Sequence, residues 1–279
     1  MSTGVVDDAR SGVTLSHSSG RALRRKIGGV SLPVAGVVIA ASGWQVLSSL
    51  KVFSSGLPSF LQSFARAFHL LVLASFWHEV GATLSTAAIG LALTVAITVP
   101  LGLLMALSRR TEQALGTFVE ILRPIPPVVY LPIAVLALGA KTRTELVLVL
   151  SGSIWPLLVQ VVYGVRSVDE QRLDVANVYG LSLPQRLRFV VIPGATPYIL
   201  TGLRLTATIC LIVTVTAEML GTKAGLGGDM SQSQVTGDNP QLFALVLVIG
   251  TIGVLVDALG RVLEHRSLRW QQSRLEVLA

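Results

Sequence analysis

Charge is scarce in this sequence. Only 13% of its 279 residues are charged, about half the roughly 25% of a soluble domain. A chain so poor in charge cannot keep a water-facing surface solvated. With 52% apolar residues and a mean hydropathy of +0.70, its solvent over much of its length is lipid, which excludes a disordered or fibrous protein. Cysteine is almost absent as well: Cys210 stands alone, so no internal disulfide framework is possible. The four histidines, His17, His69, His78 and His265, show no metal-ligand spacing, and no metal site is expected. A G-x-x-x-x-G-K-[ST] loop, a G-x-S-x-G elbow and an H-E-x-x-H helix are all missing, so the chain does not cradle ATP phosphates in the usual way and carries no hydrolase signature. Gly225-Leu226-Gly227-Gly228 has no strand before it and reads as a turn, not a nucleotide site. Neither a cofactor nor an enzymatic activity of its own is expected.

What is present is a series of long apolar runs. A spanning helix needs about 20 mostly apolar residues. Candidate runs are Gly28 to Leu50, Val80 to Ser108, Ala114 to Ala140, Leu146 to Val165, Gly194 to Leu220 and Pro240 to Val256. The third contains Glu120 and Arg123 before 17 uncharged residues starting at Pro124; the fifth contains Arg204 and Glu218. The fold class is therefore all-α, a polytopic membrane protein with about six transmembrane helices. The net charge of +7 and pI near 10.2 do not indicate nucleic acid, because the basic residues lie between apolar runs and do not join aromatics on one face. With the N-terminus inside, 15 Lys and Arg fall in inner segments and 5 in outer ones, a bias that puts both termini in the cytoplasm.

Residues 1–27 read as a disordered basic tail. The Arg24-Arg25-Lys26 cluster precedes an apolar run without an A-x-A cleavage site, so the first span is expected to stay uncleaved. Between the first two spans, Phe60, Phe64, Phe68, Leu71 and Phe76 recur at helical spacing within Phe53 to Trp77. That pattern suggests an amphipathic helix at the outer interface, with a partner-docking surface as the alternative.

Three features bear on function. Pro124, Pro126, Pro127 and Pro132 break the third span. Either they kink a helix end buried in a bundle, or they hold irregular backbone along a translocation path. Arg204 and Glu218 are intramembrane charges about 21 Å apart along a helix, too far to pair with each other. Glu218 is either half-solvated or bonded to a neighbouring helix, or it belongs to an outer gate. The third feature is the inner loop 167–193. Ser167-Val168-Asp169-Glu170 reads as a capping box, followed by a short helix to about Tyr179 that Gly180 closes in a left-handed cap. Ser182-Leu183-Pro184-Gln185 reads as a second box, with its helix ending at Pro193.

In this loop Asp174-Val175-Ala176, three residues, Gly180, nine residues and Val190-x-Ile192-Pro193 resemble the E-A-A-x3-G-x9-I-x-L-P loop of ABC importer permeases at every spaced position. Asp replaces Glu, and Val175, Val190 and Ile192 replace Ala, Ile and Leu. Leu122-Arg123-Pro124-Ile125-Pro126-Pro127, Leu131-Pro132, Leu138-Gly139, Pro193 to Pro197, Thr201 to Arg204, Ala217 to Leu220 and Gly225-Leu226-Gly227 are similar to the nitrate/sulfonate/taurine branch, so the resemblance covers roughly 80–270. It implies a permease domain over 28–262 and a cytoplasmic tail over 263–279. It also implies a second permease copy, two ATPase subunits and an extracytoplasmic solute-binding protein. Asp174, Val175, Ala176, Gly180, Val190, Ile192 and Pro193 would couple to the ATPase, with Ala176 small because a partner approaches. The branch implies a sulfonate, taurine, nitrate or related small organic anion, with thiamine-precursor-like solutes also in range. Two alternatives belong to other classes. An ion-coupled secondary transporter would need a relay of intramembrane carboxylates, where Glu218 stands nearly alone, with Glu120 close to the inner edge. An integral membrane enzyme would need clustered His, Asp or Cys.

Overall fold

The computed structural model describes residues 35–51, 56–221 and 225–268, and every regular element among them is helical. The expected tail 1–27 and the start of the first span lie outside the described residues, as do most of 263–279. The chain divides into two compact units, Met1–Leu61 and Gln62–Ala279. In the first, α1 (Ala35–Ser49) is tied to the segment that follows it. Trp44 Nε1 donates to the Pro58 carbonyl at 3.0 Å, Ser48 Oγ to that of Leu57 at 3.0 Å, and the Trp44 and Phe60 rings meet edge to face.

Next come α2 (Phe60–Val72), α3 (Ala74–Leu107), α4 (Arg109–Leu122), α5 (Leu131–Leu138), α6 (Thr142–Arg166) and α7 (Glu170–Val178). They are followed by α8 (Leu183–Arg186), α9 (Ile192–Met219), α10 (Leu226–Thr236) and α11 (Asn239–Ser267). The core is α3, α6 and α9. α3 and α6 run parallel at a constant offset: Thr94 and Ser153 hydroxyls meet at 2.6 Å across 59 residues of chain. At the same offset, a Cβ on Gly90 would lie 2.5 Å from Val149 Cγ1, and one on Gly102 2.6 Å from Val161 Cγ1. In lipid no hydrophobic force drives two helices together, so small residues that let backbones approach supply the packing. α9 runs antiparallel to α6, with Gly164 against Tyr198 and Gly202 against Gln160. α11 flanks this core more loosely, burying only Ala244 and Leu245.

Among the described residues the apolar runs are helical apart from the break in the third, but their boundaries move. Among the described residues, four uninterrupted helical stretches are long and apolar enough to cross a membrane: α3, α6, the continuous Leu183–Met219 stretch and α11. The amphipathic segment ends at Val72, with Ser63, Ala67 and Leu70 inward. Phe76, expected in that segment, belongs to α3 and is buried with Val80, Leu226 and Leu245. α11 runs through Asp257 to Ser267, so the sixth span and the start of the expected C-terminal tail form one helix.

The third span is the main correction. It is a broken pair, α4 and Pro127–Leu138, bent by 89°. Pro124, Pro126 and Pro127 remove three amide donors within four residues, and Pro127 disfavours the α region for the residue before it. Pro126 is accordingly extended, at φ −62°, ψ 137°, and a 3-10 turn over Pro127–Tyr130 leads into α5. Pro132 falls in the first turn of α5, where a missing donor costs nothing.

Candidate functional site

At one end of the bundle, the loop end, α6 gives way to α7 and α8. The first cap sits two residues later than expected. Ser167 terminates α6, its Oγ donating to the Gly164 carbonyl at 2.9 Å, and Asp169 starts α7, its Oδ1 accepting from Gln171 N at 3.0 Å. Serine bonds a preceding carbonyl as readily as it caps a helix, and here the longer α6 claims it. The close of α7 is as expected. Gly180 has φ +65°, and the Gly180 and Leu181 amides donate to Asn177 and Ala176 carbonyls at 3.0 Å each. These two bonds complete a Schellman cap.

The second box also forms, with Gln185 Oε1 accepting from Ser182 N at 2.9 Å and Ser182 Oγ at 2.8 Å. Its helix does not stop at Pro193. One π turn, Leu187–Val191, joins α8 to α9, and Pro193 occupies the first turn of α9. The wider turn lets Ile192 N reach back to the Leu187 carbonyl, carrying the helix past a proline that lacks a donor. Arg186 donates to Asn177 Oδ1 at 2.7 Å, pinning α8 to α7.

The loop residues divide by orientation. Val175, Val190 and Pro193 line one groove of about 670 Å³ with Arg172 and Phe189. Asp174, Gly180 and Ile192 are exposed. Ala176 faces inward at 2% exposure, so the chain's own packing calls for a small side chain there. The apolar side chains left outside are Val175, Val178, Tyr179, Leu183, Phe189 and Ile192. Beside the loop, Arg166 holds Glu112 of α4 through both carboxylate oxygens at 2.6–2.7 Å.

At the opposite end, Glu218 is 1% exposed. Thr83 Oγ1 of α3 lies 2.9 and 3.0 Å from its two oxygens and donates to the carboxylate. Gly227 N donates to Glu218 Oε2 at 3.0 Å, and Leu226 N donates to Thr83 Oγ1 at 3.0 Å. The geometry matches the reading of Glu218 as bonded to a neighbouring helix and not that of half-solvation. Nor does it stand alone. Glu145 is fully buried in α6, and Glu79 lies in α3; both are close enough to act on the Glu218 charge. Span starts expected at Val80 and Leu146 had left both outside the membrane. Nearby in α10, burial and then repulsion from Glu79 hold the Asp229 carboxyl above its ordinary range.

Arg204 belongs to neither end's cluster. Its Nε lies 3.1 Å from Asp257 Oδ1 and its Nη1 3.0 Å from Glu264 Oε2, while Thr201 Oγ1 donates to Glu264 Oε1 at 2.7 Å. A Cβ on Gly260 would lie 2.5 Å from Arg204 Cγ, so glycine lets the side chain lie along α11. Asp257 and Glu264 are two turns apart on one helix face, the signal that could have revealed the pairing. Of the prolines, Pro124, Pro126 and Pro132 are exposed and Pro127 is half-buried against α6. A Cβ on Gly152 would lie 2.6 Å from Pro127 Cγ.

Comparison with known proteins matches residues 98–269 to the family described as binding-protein-dependent transport system inner membrane component. A Bacillus subtilis protein named as an aliphatic sulfonates transport permease, SsuC, is 28% identical over 93% of this chain and 96% of its own. The taurine transport system permease protein TauC of Escherichia coli is 28% identical over 86% and 90%. In fold, the chain is like one from the MetNI methionine ABC transporter, solved in inward-facing conformations. The TM-score is 0.62 over 71% of this chain and 95% of that one, at 17% identity. The ion-coupled alternative gives way to this match, despite the extra buried carboxylates. A helical membrane bundle, a doubly capped loop and a family match over more than half its length make this chain a member of the inner-membrane permease family of binding-protein-dependent ABC importers.

Proposed function

We propose that the chain forms, with a second copy of itself, the membrane path of an importer for a small sulfonate-type organic anion such as taurine. A solute-binding protein delivers the anion from outside, and two ATPase subunits drive the cycle from the cytoplasm. The substrate class rests on relatives named for aliphatic sulfonates and taurine. Arg204 does not supply a free cation for it, since Asp257 and Glu264 neutralise that side chain. The loop end faces the cytoplasm, as the Lys and Arg distribution requires, with both termini on that side. Asp174, Val175, Gly180, Val190, Ile192 and Pro193 form or shape the ATPase-docking surface, and Ala176 seats α7. Pro124, Pro126, Pro127 and Pro132 hold irregular backbone beside the path, Arg204 braces the path-forming helices, and Glu218 closes the outer gate.

One observation carries this: a doubly capped protrusion exposes Val178 and Tyr179 at 87% and 80%, and its second helix continues without interruption into α9. An apolar tip on a polar loop fits a partner cleft, and a helix joined to it carries the partner's movement into the bundle. Val178→Asp with Tyr179→Glu should leave an inserted protein that loses its ATPase subunit on co-purification. Gly180→Val, which forces a side chain into a left-handed conformation costing ~1–2 kcal/mol, should weaken the coupling of ATP hydrolysis to uptake. Full association and normal binding-protein-stimulated ATPase activity in both variants would overturn the assignment of this loop.

A further inference from the structure

The hydrogen bonds at the end opposite the loop form a single connected unit. Leu226 N donates to Thr83 Oγ1, Thr83 donates to Glu218, and Gly227 N donates to the same carboxylate. Three elements, α3, α9 and α10, thus meet at two side chains. Thr83 is fully buried and uses its hydroxyl in both directions, so the bonds polarise one another and are lost together if α10 moves. The carboxylate faces the N-terminus of α10, an 11-residue helix whose positive end favours an anion. Both glycines are required by the approach: a Cβ on Gly225 would overlap the Glu218 carboxyl, and one on Gly227 would lie 2.7 Å from Glu218 Cβ.

We propose that Thr83 and Glu218 form a latch that clamps the start of α10 onto α3 and α9 in the resting transporter, and that this latch releases during import. Thr83 is then a positioning residue of the gate, acting through Glu218. α9 runs from the coupling loop to Glu218, about 40 Å at 1.5 Å per residue, so force applied at the loop reaches the latch through one helix. This deepens the proposed import function and rests on it.

The test uses the complete complex with its ATPase and binding protein, reconstituted in lipid vesicles. Thr83→Val keeps the shape and removes the hydroxyl. Loss of a hydrogen bond to a charged group corresponds to roughly a tenfold shift in the closed-to-open balance. ATP hydrolysis without binding protein should therefore rise several-fold, up to about that factor, while uptake per ATP falls. Glu218→Gln should do the same, and Thr83→Ser should restore the wild-type ratio of stimulated to basal hydrolysis. A wild-type ratio in both Thr83→Val and Glu218→Gln overturns the latch, as does a loss of folded protein in both without any rise in basal hydrolysis. A wild-type complex that recovers no ATPase would instead sink the import function itself, so the two failures are distinguishable.

Discussion

Arg204 is a cation inside an apolar helix, and its environment explains why it is tolerated. Asp257 and Glu264 approach it from α11 at 3.1 and 3.0 Å, and Arg261 shares the Asp257 carboxylate. The side chains of the triad are 18–29% exposed, between the regimes of exposed and buried pairs. Breaking it leaves Glu264 without a cation and Asp257 with Arg261 alone, at a cost of about 2 kcal/mol, between exposed-pair values near 1 and buried-pair values of about 3 or more. Arg204→Ala should lower the thermal unfolding midpoint in detergent. Arg204→Met combined with Asp257→Asn and Glu264→Gln should recover much of the loss, because only the half-exposed Arg261 then lacks its partner. An Arg204→Ala protein as stable as its parent would show that the network contributes nothing. Ala176 gives a different lesson at this scale: its smallness was legible, but its reason was not, since only the rotation of α7 turns it inward.

At the scale of elements, the proline segment and the capped loop show how local chemistry sets helix ends. Pro124, Pro126 and Pro127 break a run that hydropathy alone would pass as one span, and the result is the 89° bend between α4 and α5. Replacing Pro126 and Pro127 together by Ala restores two donors and removes the restriction on the residues before them. The helix should then extend across the break, and uptake per inserted molecule should fall several-fold while insertion is retained. Wild-type uptake from a variant in which α4 and α5 have merged would dissociate the break from transport. In the loop, Gly180 closes α7 by a local necessity visible in sequence. The passage of Pro193 into α9 was not visible, because it depends on one π turn that shifts the register of the preceding bonds.

For the whole molecule, the α3–α6–α9 core organises two ends with different chemistry: an exposed apolar protrusion at one, and a buried carboxylate held by α3 and α10 at the other. Orientation in the membrane decides which end meets the ATPase. The only native cysteine, Cys210, is 1% exposed, so introduced thiols report against a silent background. A membrane-impermeant maleimide should label Lys141→Cys in intact cells and Val178→Cys only after the membrane is opened. The reverse pattern would invert the topology and detach the loop from a cytoplasmic ATPase.

The sequence by itself determined the solvent, the helical class, the apolar runs, and the second helix start and glycine stop of the loop, because run length and capping are properties of contiguous residues. Tertiary structure alone decided which side chains meet. Thr83 finds Glu218 across 135 residues and Arg204 finds Glu264 across 60, pairings that follow from how each helix is rotated and where it sits along its neighbour. It also decided that Glu79 and Glu145 lie within α3 and α6, since helices begin where packing and caps allow and not where hydropathy changes. An apolar run encodes that a helix enters lipid. Its partners are encoded in contacts between runs, and those exist only once the helices are packed.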